Sequence, residues 1–594
     1  MAARWLVKDS DPQAVDALAA AIAIGRPAAA VLWGRGLHDA ASARRFLDPS
    51  LEDLCDPAGL AGMDLALDRL RRAIRAGEKI LIYGDYDVDG TTSVVILKRA
   101  IELAGGVPEF HVPNRLKDGY GMRAEVVEEA AARGISLIIS VDTGIRAAAV
   151  VKRASELGID VIITDHHLPE AELPPAIAVL NPNRPDCAYP EKNLCGVGVA
   201  FKLVQGLLGG LDWPPAKLRR VLESFLKLVA IGTVADVVPL TGENRIIVKH
   251  GLAGLRDVRN PGLRALLDVA GFTGASVPTA GQVAFRIAPR MNAAGRMATA
   301  NDVIELFLTE DADRARTLAG QLDALNAERQ KAEAEILAAI LDECARVPVE
   351  DQHAALVFAG EGWHRGVLGI VASRIVERFH RPVFVLSQNA EDGLAQGSGR
   401  SIHGFHLLEA LEAMPELFLK FGGHMYAAGL TMGSGELEEF RGRFQKFAGA
   451  RLTPDDFVAR MEIDASISLD EISERSVMEI ASLGPFGCGN PLPVFAAMDV
   501  EVAAPPVVWK EKHLRVALRQ GRRTVWMKAW NFAGRVDEFQ QGARVDAAFT
   551  LEEDAYSAAN GYPNWAATLR DVRPAGYSNS LSTASSRSKS ASSL

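Results

Sequence analysis

Cysteine is scarce in this chain of 594 residues: Cys55, Cys187, Cys195, Cys344 and Cys488 are all there are, and none forms a CxxC pair. Their odd number and wide scatter argue against a disulfide framework and a zinc ribbon, and a reducing, cytoplasmic compartment is expected. No apolar run reaches the roughly 18 residues that span a bilayer. The opening MAARWLVKDSDP lacks a charged start followed by an apolar stretch, so no secretory leader is expected. Three catalytic templates are missing too. GxxxxGK[ST], GxSxG and HExxH do not occur, which sets aside a P-loop, a hydrolase nucleophile elbow and a helix-borne zinc site. A positive net charge is also absent, the formal value being −10. That average does not exclude nucleic acid, because a nucleic-acid footprint is local.

What is present reads as a multidomain globular protein. The length exceeds what one hydrophobic core fills, so three or four domains are expected. Hydrophobic residues at 48% and charged residues at 24% are ordinary. Residues 1–60 read as a helical segment rich in Ala, Leu and Arg. From residue 78 short apolar runs recur, each followed by a polar turn: KILIYGDYD, ISLIISVDTG and DVIITDHH. Helical patterns at Arg123–Arg133 and Ala147–Leu157 lie between them. Strand alternating with helix predicts an α/β fold with a parallel sheet and right-handed crossovers. Ligands of such sheets collect at the carboxyl ends of the strands, where all three polar clusters sit. Glu310–Val347 contains no proline and one glycine; as a helix at ~1.5 Å per residue it makes a connecting rod of roughly 57 Å. A second α/β segment follows. From about residue 490 short strands separated by turns suit a small β-barrel. The Ser-rich end, 577–594, is expected to be disordered.

Asp85, Asp87 and Asp89 alternate directly after an apolar strand, with Gly90 behind them. Carboxylates this close repel one another, and a bound cation is the usual relief. A solvated turn capping the next helix is the plain alternative. A calcium loop does not fit, because Leu97 and Lys98 stand where its bidentate glutamate belongs. Asp142 follows IISV as Asp85 follows ILIYG, and Asp165, His166 and His167 follow VIIT. Three strand ends of one sheet therefore present carboxylate or imidazole groups. Asp236, in GTVADVVPL, adds another carboxylate. Oxygen-rich ligands favour Mg2+ or Mn2+, and imidazole tilts the choice to Mn2+. Five or six such ligands could hold two ions about 3.5–4 Å apart, an arrangement suited to phosphoryl displacement. GVG at 196–198 reads as packing glycine at a helix start.

In this order GDYDVDG (84–90), VDTG (141–144), TDHH (164–167) and GTVADVVPL (232–240) resemble the motifs of the DHH phosphoesterase superfamily. NPN (181–183), CGVGVAFK (195–202), APRMNAAGRM (288–297), GSGRS (397–401) and FGGHMYAAG (421–429) are similar to its RecJ branch. The likeness covers about residues 60–500. It implies that Asp87, Asp89, Asp142, His166 and Asp236 bind metal, with His167 close to the scissile phosphate and Asp165 in the same catalytic signature. It leaves Asp85 open. Other DHH branches carry a His four residues before the first motif Asp, where this chain has Tyr83. The implied architecture is a parallel-sheet catalytic domain (61–309), a connecting helix (310–347), a second α/β, DHH-associated domain (348–455) and an OB-like barrel with its lead-in (456–576).

GSGRSIHG (397–404) taken alone is a Gly/Ser turn. The resemblance makes it a pocket for a terminal 5′ phosphate, contacted by Ser398, Gly399 and Arg400. Arg290 and Arg296 are expected to line the same channel. His424 either faces this cleft or stabilises a glycine turn. Residues 509–530 hold Lys510, Lys512, Arg515, Arg519, Arg522, Arg523 and Lys528 against Glu511 alone, interleaved with Trp509, Trp526 and Trp530. Basic groups track phosphates and aromatic faces stack bases, so this stretch is expected to bind single strands without sequence preference. One or more of the tryptophans is expected in the core. The resemblance as a whole implies a metal-dependent exonuclease degrading single-stranded DNA from the 5′ end to 5′-mononucleotides, in recombination and repair. It implies a single-strand-binding protein and a repair helicase as partners, and a monomer away from the membrane. Two alternatives stand beside it: a DHH phosphodiesterase of oligonucleotides or cyclic dinucleotides, and an inactive DNA-binding scaffold.

Overall fold

Five parallel strands, in the order Pro108–His111, Ile80–Tyr83, Leu137–Val141, Asp160–Thr164 and Ala178–Leu180, form the first sheet of the computed structural model. The structure describes residues 3–576 apart from 116–118, 120, 275, 347–348, 350–352 and 555–562; the Ser-rich segment 577–594 lies outside the described residues. The runs ILIY and LIISV are buried along their whole length, because helices cover both faces of a parallel sheet. The strand order reverses between Ile80–Tyr83 and Leu137–Val141. Loops leaving neighbouring strands there part to opposite faces and open a crevice. Asp85 and Asp142 are the residues at that opening.

The helix Ala312–Arg346 leads to the second unit. Its first half buries Ala315, Leu318, Ala319 and Leu322 in the catalytic core. Its second half buries Ile336 and Ile340 in the core of the next unit. A helix that lacks one continuous apolar stripe is thus held by two separate cores. The second unit is a five-stranded sheet ordered Lys420–Gly423, Ala427–Gly433, Leu394–Arg400, Val383–Asn389 and Leu356–Glu361, antiparallel except for the last pair.

The C-terminal unit is a closed barrel. Phe495–Val502 pairs with Arg544–Glu553 on one side and with His513–Gln520 on the other, and Arg523–Ala529 and Trp565–Pro574 complete the ring. Residues 1–60, expected as a helical segment of their own, do not stand apart. Arg4–Val7 is a strand pairing in parallel with Arg460–Ile463. The helices Pro12–Ile22, Arg26–Gly34 and Ala40–Leu47 bury Val15, Leu18, Val31, Leu32 and Ala43 in the barrel-side core. Trp5 Nε1 donates to Asp571 Oδ2 at 2.8 Å. Short Ala-rich helices have too little apolar surface for a core of their own, so they join a neighbour's. No single helix among the described residues is long and apolar enough to cross a membrane.

Leu32→Ala is expected to lower stability by about 2–5 kcal/mol and to open the barrel before the catalytic unit. Limited proteolysis with mass spectrometry reads the order. First cuts within 79–233, with 495–574 intact, would show that these helices do not support the barrel.

Candidate metal centre and nucleic-acid interface

The acid cluster is assembled by strand ends and helix starts. Asp87 caps the helix Val88–Leu103, its Oδ1 accepting from Gly90 N at 2.9 Å. The capping turn foreseen as an alternative is therefore real, and it uses only one of the carboxylate oxygens. A Cβ on Gly90 would come to 2.6 Å from the Asp85 carbonyl oxygen, so only glycine lets the loop fold this tightly. Asp89, in the first turn, is buried, and its two oxygens accept from Gly196 N and Val197 N at 2.6 and 2.7 Å. These amides begin the helix Gly196–Gly209, so the GVG segment does more than pack. A Cβ on Gly196 would lie 2.5 Å from the Asp142 carboxylate. Asp142 itself takes a left-handed backbone, φ 58°, a conformation Asp tolerates better than most residues. Asp236 ends the helix Pro215–Ala235. The next residue, Val237, has φ 62°; a β-branched side chain there costs on the order of 1–3 kcal/mol.

These elements bring the acids around His166. Its Nε2 lies 3.2 Å from Asp142 Oδ1, 3.7 Å from Asp236 Oδ2 and 3.9 Å from Asp89 Oδ2. Asp85 Oδ1, Asp142 Oδ1, His166 Nε2 and Asp236 Oδ2 are buried without a hydrogen-bond partner. Burial, then the charge of Asp87, pushes Asp89 up to about 7. Burial, then Asp89 and Asp87, pushes Asp236 up to about 9. Asp85 and Asp142 are raised for the same reasons, burial first. Burial and the charge of His167 hold His166 down at about 4, so its ring is neutral and able to ligate. Orphaned carboxylate oxygens beside a neutral imidazole fit a hard divalent cation with some nitrogen affinity, and do not fit zinc in a sulfur-rich site. The donors fall into three groups that share members, Asp89, His166 and Asp236, then Asp85, Asp87 and Asp142, and then Asp142, His166 and His167, each with its ligand atoms within 4.8 Å of one another.

Asp165, expected among the reacting groups, is buried and hydrogen-bonded to its neighbours. Its Oδ1 accepts from His166 N, His167 N and His167 Nδ1 at 2.7, 3.0 and 2.7 Å, and its Oδ2 accepts from Ile145 N at 2.9 Å. Burial, the largest influence, lowers the His167 pKa, but the Asp165 hydrogen bond and the charges of Asp165, Asp89 and Asp87 together lift the imidazole above its ordinary value. His167 lines a cavity of 490 Å³ together with His424, Arg146 and Met122. His424 thus faces the cleft.

Near the acids lies a cluster of arginines, Arg115 bearing on Asp85 and Arg296 on Asp87. Arg400 Nη1 donates to Ser398 Oγ at 3.0 Å, and Arg296 Nη1 donates to the Gly366 carbonyl at 2.9 Å. Burial, then the charges of Arg115, Arg329 and Arg400, pushes Arg296 down to about 10. Gly399 is glycine for packing, since a Cβ would meet the Phe384 ring at 2.5 Å. The close approach to Arg400 belongs to Gly369, at the start of Leu368–Phe379, where a Cβ would lie 2.8 Å from Nη2. Arg290 is not part of this cluster. It donates to Asp323 on the connecting helix at 2.8 Å and to the Arg286 carbonyl, so its charge is taken up by structure. Arg115 and Tyr86 escaped the sequence reading; the guanidinium stands 5.1 Å over the ring. The signal was available, because Arg115 leaves the carboxyl end of Pro108–His111, the same sheet edge as the acids.

On the barrel, the expectation of a buried tryptophan is wrong. Trp509, Trp526 and Trp530 are 37%, 46% and 42% exposed. The strand Arg523–Ala529 turns Val525, Met527 and Ala529 inward, which leaves Trp526 outside by alternation. Trp509 and Trp530 stand 5.1 Å apart, Lys510 lies 5.0 Å from the Trp509 ring, and Arg515 lies 5.3 Å from the Trp526 ring. Lys512 and Arg522 sit in the two adjoining turns. Not all the cations are available: Lys528 pairs with Asp554, Arg519 with Glu501, and Arg523 donates to the Ile472 carbonyl.

An acidic, imidazole-bearing centre at a parallel-sheet switch point, an arginine-lined second unit and a small barrel together define a DHH-type phosphoesterase with an oligonucleotide-binding module. Residues 79–233 match the DHH family N-terminal domain, 351–450 the DHHA1 domain and 463–562 the RecJ OB domain. The single-stranded-DNA-specific exonuclease RecJ of Bacillus subtilis is 42% identical over 82% of this chain, which spans 61% of that relative's length. The RecJ of Dickeya dadantii is 42% identical over 76% of this chain and 80% of its own. The crystal structure of Thermus thermophilus RecJ with Mn2+ superposes with a TM-score of 0.81 at 34% identity, over 96% of this chain and 79% of that one; the same protein has been solved with Mg2+. The chain belongs to the RecJ family.

Each acid with a raised folded pKa lends stability below its ordinary value and loses it as pH rises through the folded one. The metal-free protein should therefore melt at progressively lower temperature between about pH 6.5 and about pH 9, where Asp89 and Asp236 ionise. His166 titrates below this window. Mn2+ should restore the midpoint more at the upper end. Scanning calorimetry with and without Mn2+ decides; an equal Mn2+ gain at both ends would refute the assignment.

Proposed function

We infer that the chain is a metal-dependent 5′→3′ exonuclease that hydrolyses single-stranded DNA to 5′-mononucleotides, and that it serves recombination and repair. The observation that carries this reading is the closeness of the Asp/His centre to the Arg115, Arg296 and Arg400 cluster, Arg115 bearing on Asp85 and Arg296 on Asp87. One wall suits the scissile phosphate with its cations. The other suits a terminal 5′ phosphate.

Asp89, Asp142, His166 and Asp236, with Asp85 and Asp87, would hold two Mn2+ or Mg2+ ions. When bound, such ions neutralise charge on the phosphoryl oxygens and make water a competent nucleophile near neutral pH. The protein's own residues do the rest. Arg400, kept in place by Ser398, and Arg296, kept in place by the Gly366 carbonyl, grip the 5′ phosphate as bidentate donors. His167, oriented by Asp165, hydrogen-bonds the scissile phosphate, and His424 closes the cleft from the opposite sheet. Trp509, Trp526 and Trp530 offer stacking faces, and Lys510, Lys512, Arg515 and Arg522 follow the backbone. We take the working units as 61–309, 310–347, 348–455 and 456–576, the last carrying the N-terminal segment with it. A monomer in the cytoplasm, meeting a single-strand-binding protein and a repair helicase, completes the reading.

A single strand labelled at its 5′ end should release labelled mononucleotide with Mn2+, while a 3′ label should stay on long products. Asp142→Ala should lower cleavage by at least about a hundredfold. Arg400→Ala should weaken the preference for 5′-phosphorylated over 5′-hydroxyl ends about tenfold. Early release of the 3′ label, or cleavage only of dinucleotides, would sink the assignment.

Replacing Trp509 and Trp526 by Ala should cost about 1–3 kcal/mol of long-strand affinity for each stacked base lost, with little change in trinucleotide cleavage. Fluorescence anisotropy beside a product assay separates the two. An equal loss on both substrates would remove the barrel from strand binding.

A further inference from the structure

Asp236 is followed by a turn that needs outside support. Val237 holds its left-handed φ of 62° with its side chain largely exposed, and such a conformation persists only where the surroundings over-determine it. On the catalytic side, Asn244 Nδ2 donates to the Pro239 carbonyl at 3.0 Å, and Leu240 is buried in the core. On the other side the support comes from the barrel unit. The segment GPFGCGNP, 484–491, closes on itself, Gly487 N donating to Asn490 O at 2.9 Å and Asn490 N to Gly487 O at 3.2 Å. The Cys488 carbonyl then accepts from Leu240 N at 2.8 Å.

The fit is close. A Cβ on Gly487 would come to 2.7 Å from the Leu240 side chain, and one on Gly489, φ 68°, to 2.9 Å from Pro239. The segment is anchored behind. Asn490 Nδ2 donates to the Leu483 and Pro485 carbonyls at 3.0 and 2.7 Å. Arg35, from the N-terminal helices, donates to the Asn490 side chain and to the Pro491 carbonyl. Across the seam Arg245 donates to the Gly484 and Phe46 carbonyls at 2.7 and 2.8 Å.

We propose that segment 484–491 is a latch through which the barrel unit positions Asp236. The proposal rests on the reading of Asp236 as a metal ligand. The barrel unit on this view serves the reacting centre as well as the strand, and Gly487, Gly489 and Asn490 are positioning residues.

The test is Mn2+ binding to the metal-free full-length chain, followed by calorimetry and by the Mn2+ electron paramagnetic resonance signal. Gly489→Ala should weaken Mn2+ binding about tenfold, the scale seen when outer-shell support of a ligand is lost. Adding Val237→Gly should restore it, because glycine adopts the turn unaided. Gly487→Ala, which presses on Leu240 instead, is the second variant if the first does not fold. Asp236→Ala is the reference and should lose affinity at least as strongly. Unchanged affinity in both glycine variants, with Asp236→Ala weakened, would overturn the latch. A loss that Val237→Gly does not restore would overturn it too, as general destabilisation. Unchanged affinity in Asp236→Ala would overturn the ligand assignment itself.

Discussion

Like charges crowded away from water govern this molecule. Asp85, Asp89 and Asp142 are buried, and Asp87 and Asp236 stand against them. At an effective dielectric of about 20, two unit charges 4 Å apart repel by about 4 kcal/mol, and here several such pairs overlap. Two features of the scaffold hold the groups in place nonetheless. The helix starting at Gly196 aims two amides at Asp89. The backbone accepts left-handed geometry at Asp142 and Val237. Both are local departures from comfortable structure, concentrated where carboxylates must converge.

Most of the catalytic sheet could be read from the sequence, because its strands are short, wholly apolar and each ends in a polar cluster. The same regularity pointed to Asp87, Asp89, Asp142, His166 and His167, which differ in chain position but share one sheet edge, whereas Asp236 ends a helix and was legible only through its motif. What sequence could not supply was who holds whom. Asp165 reads as a reacting group beside two histidines, and only the structure shows its four hydrogen bonds to His166, His167 and Ile145. Arg290 and Arg296 share one motif, six residues apart. A helix turns residues at that spacing to different sides, and Asp323 claims Arg290. One or more of the three tryptophans is expected inside, yet on the strand that carries Trp526 it is Val525 and Met527 that occupy that side.

The N-terminal segment was the hardest part to place, and the reason is physical. Its helices carry small apolar faces, which state that they must be buried but not against what. The partner lies more than four hundred residues away, as with Trp5 and Asp571. Such pairings carry no local signal, whereas strand–turn–helix patterns in the catalytic unit are written within a few residues.

The charge distribution also explains how a chain with net charge −10 can suit a polyanion. The acids and the arginines form two adjoining walls, close enough that Arg115 bears on Asp85 and Arg296 on Asp87. Each wall is destabilised by burial and then by its own charge: the carboxyls are raised, and Arg296 is pushed down by burial, then by Arg115, Arg329 and Arg400. A cation relieves the first wall only. A phosphate relieves the second, and when it also reaches the bound cation it links the two. A phosphate shared in this way would make metal and phosphate binding favour one another.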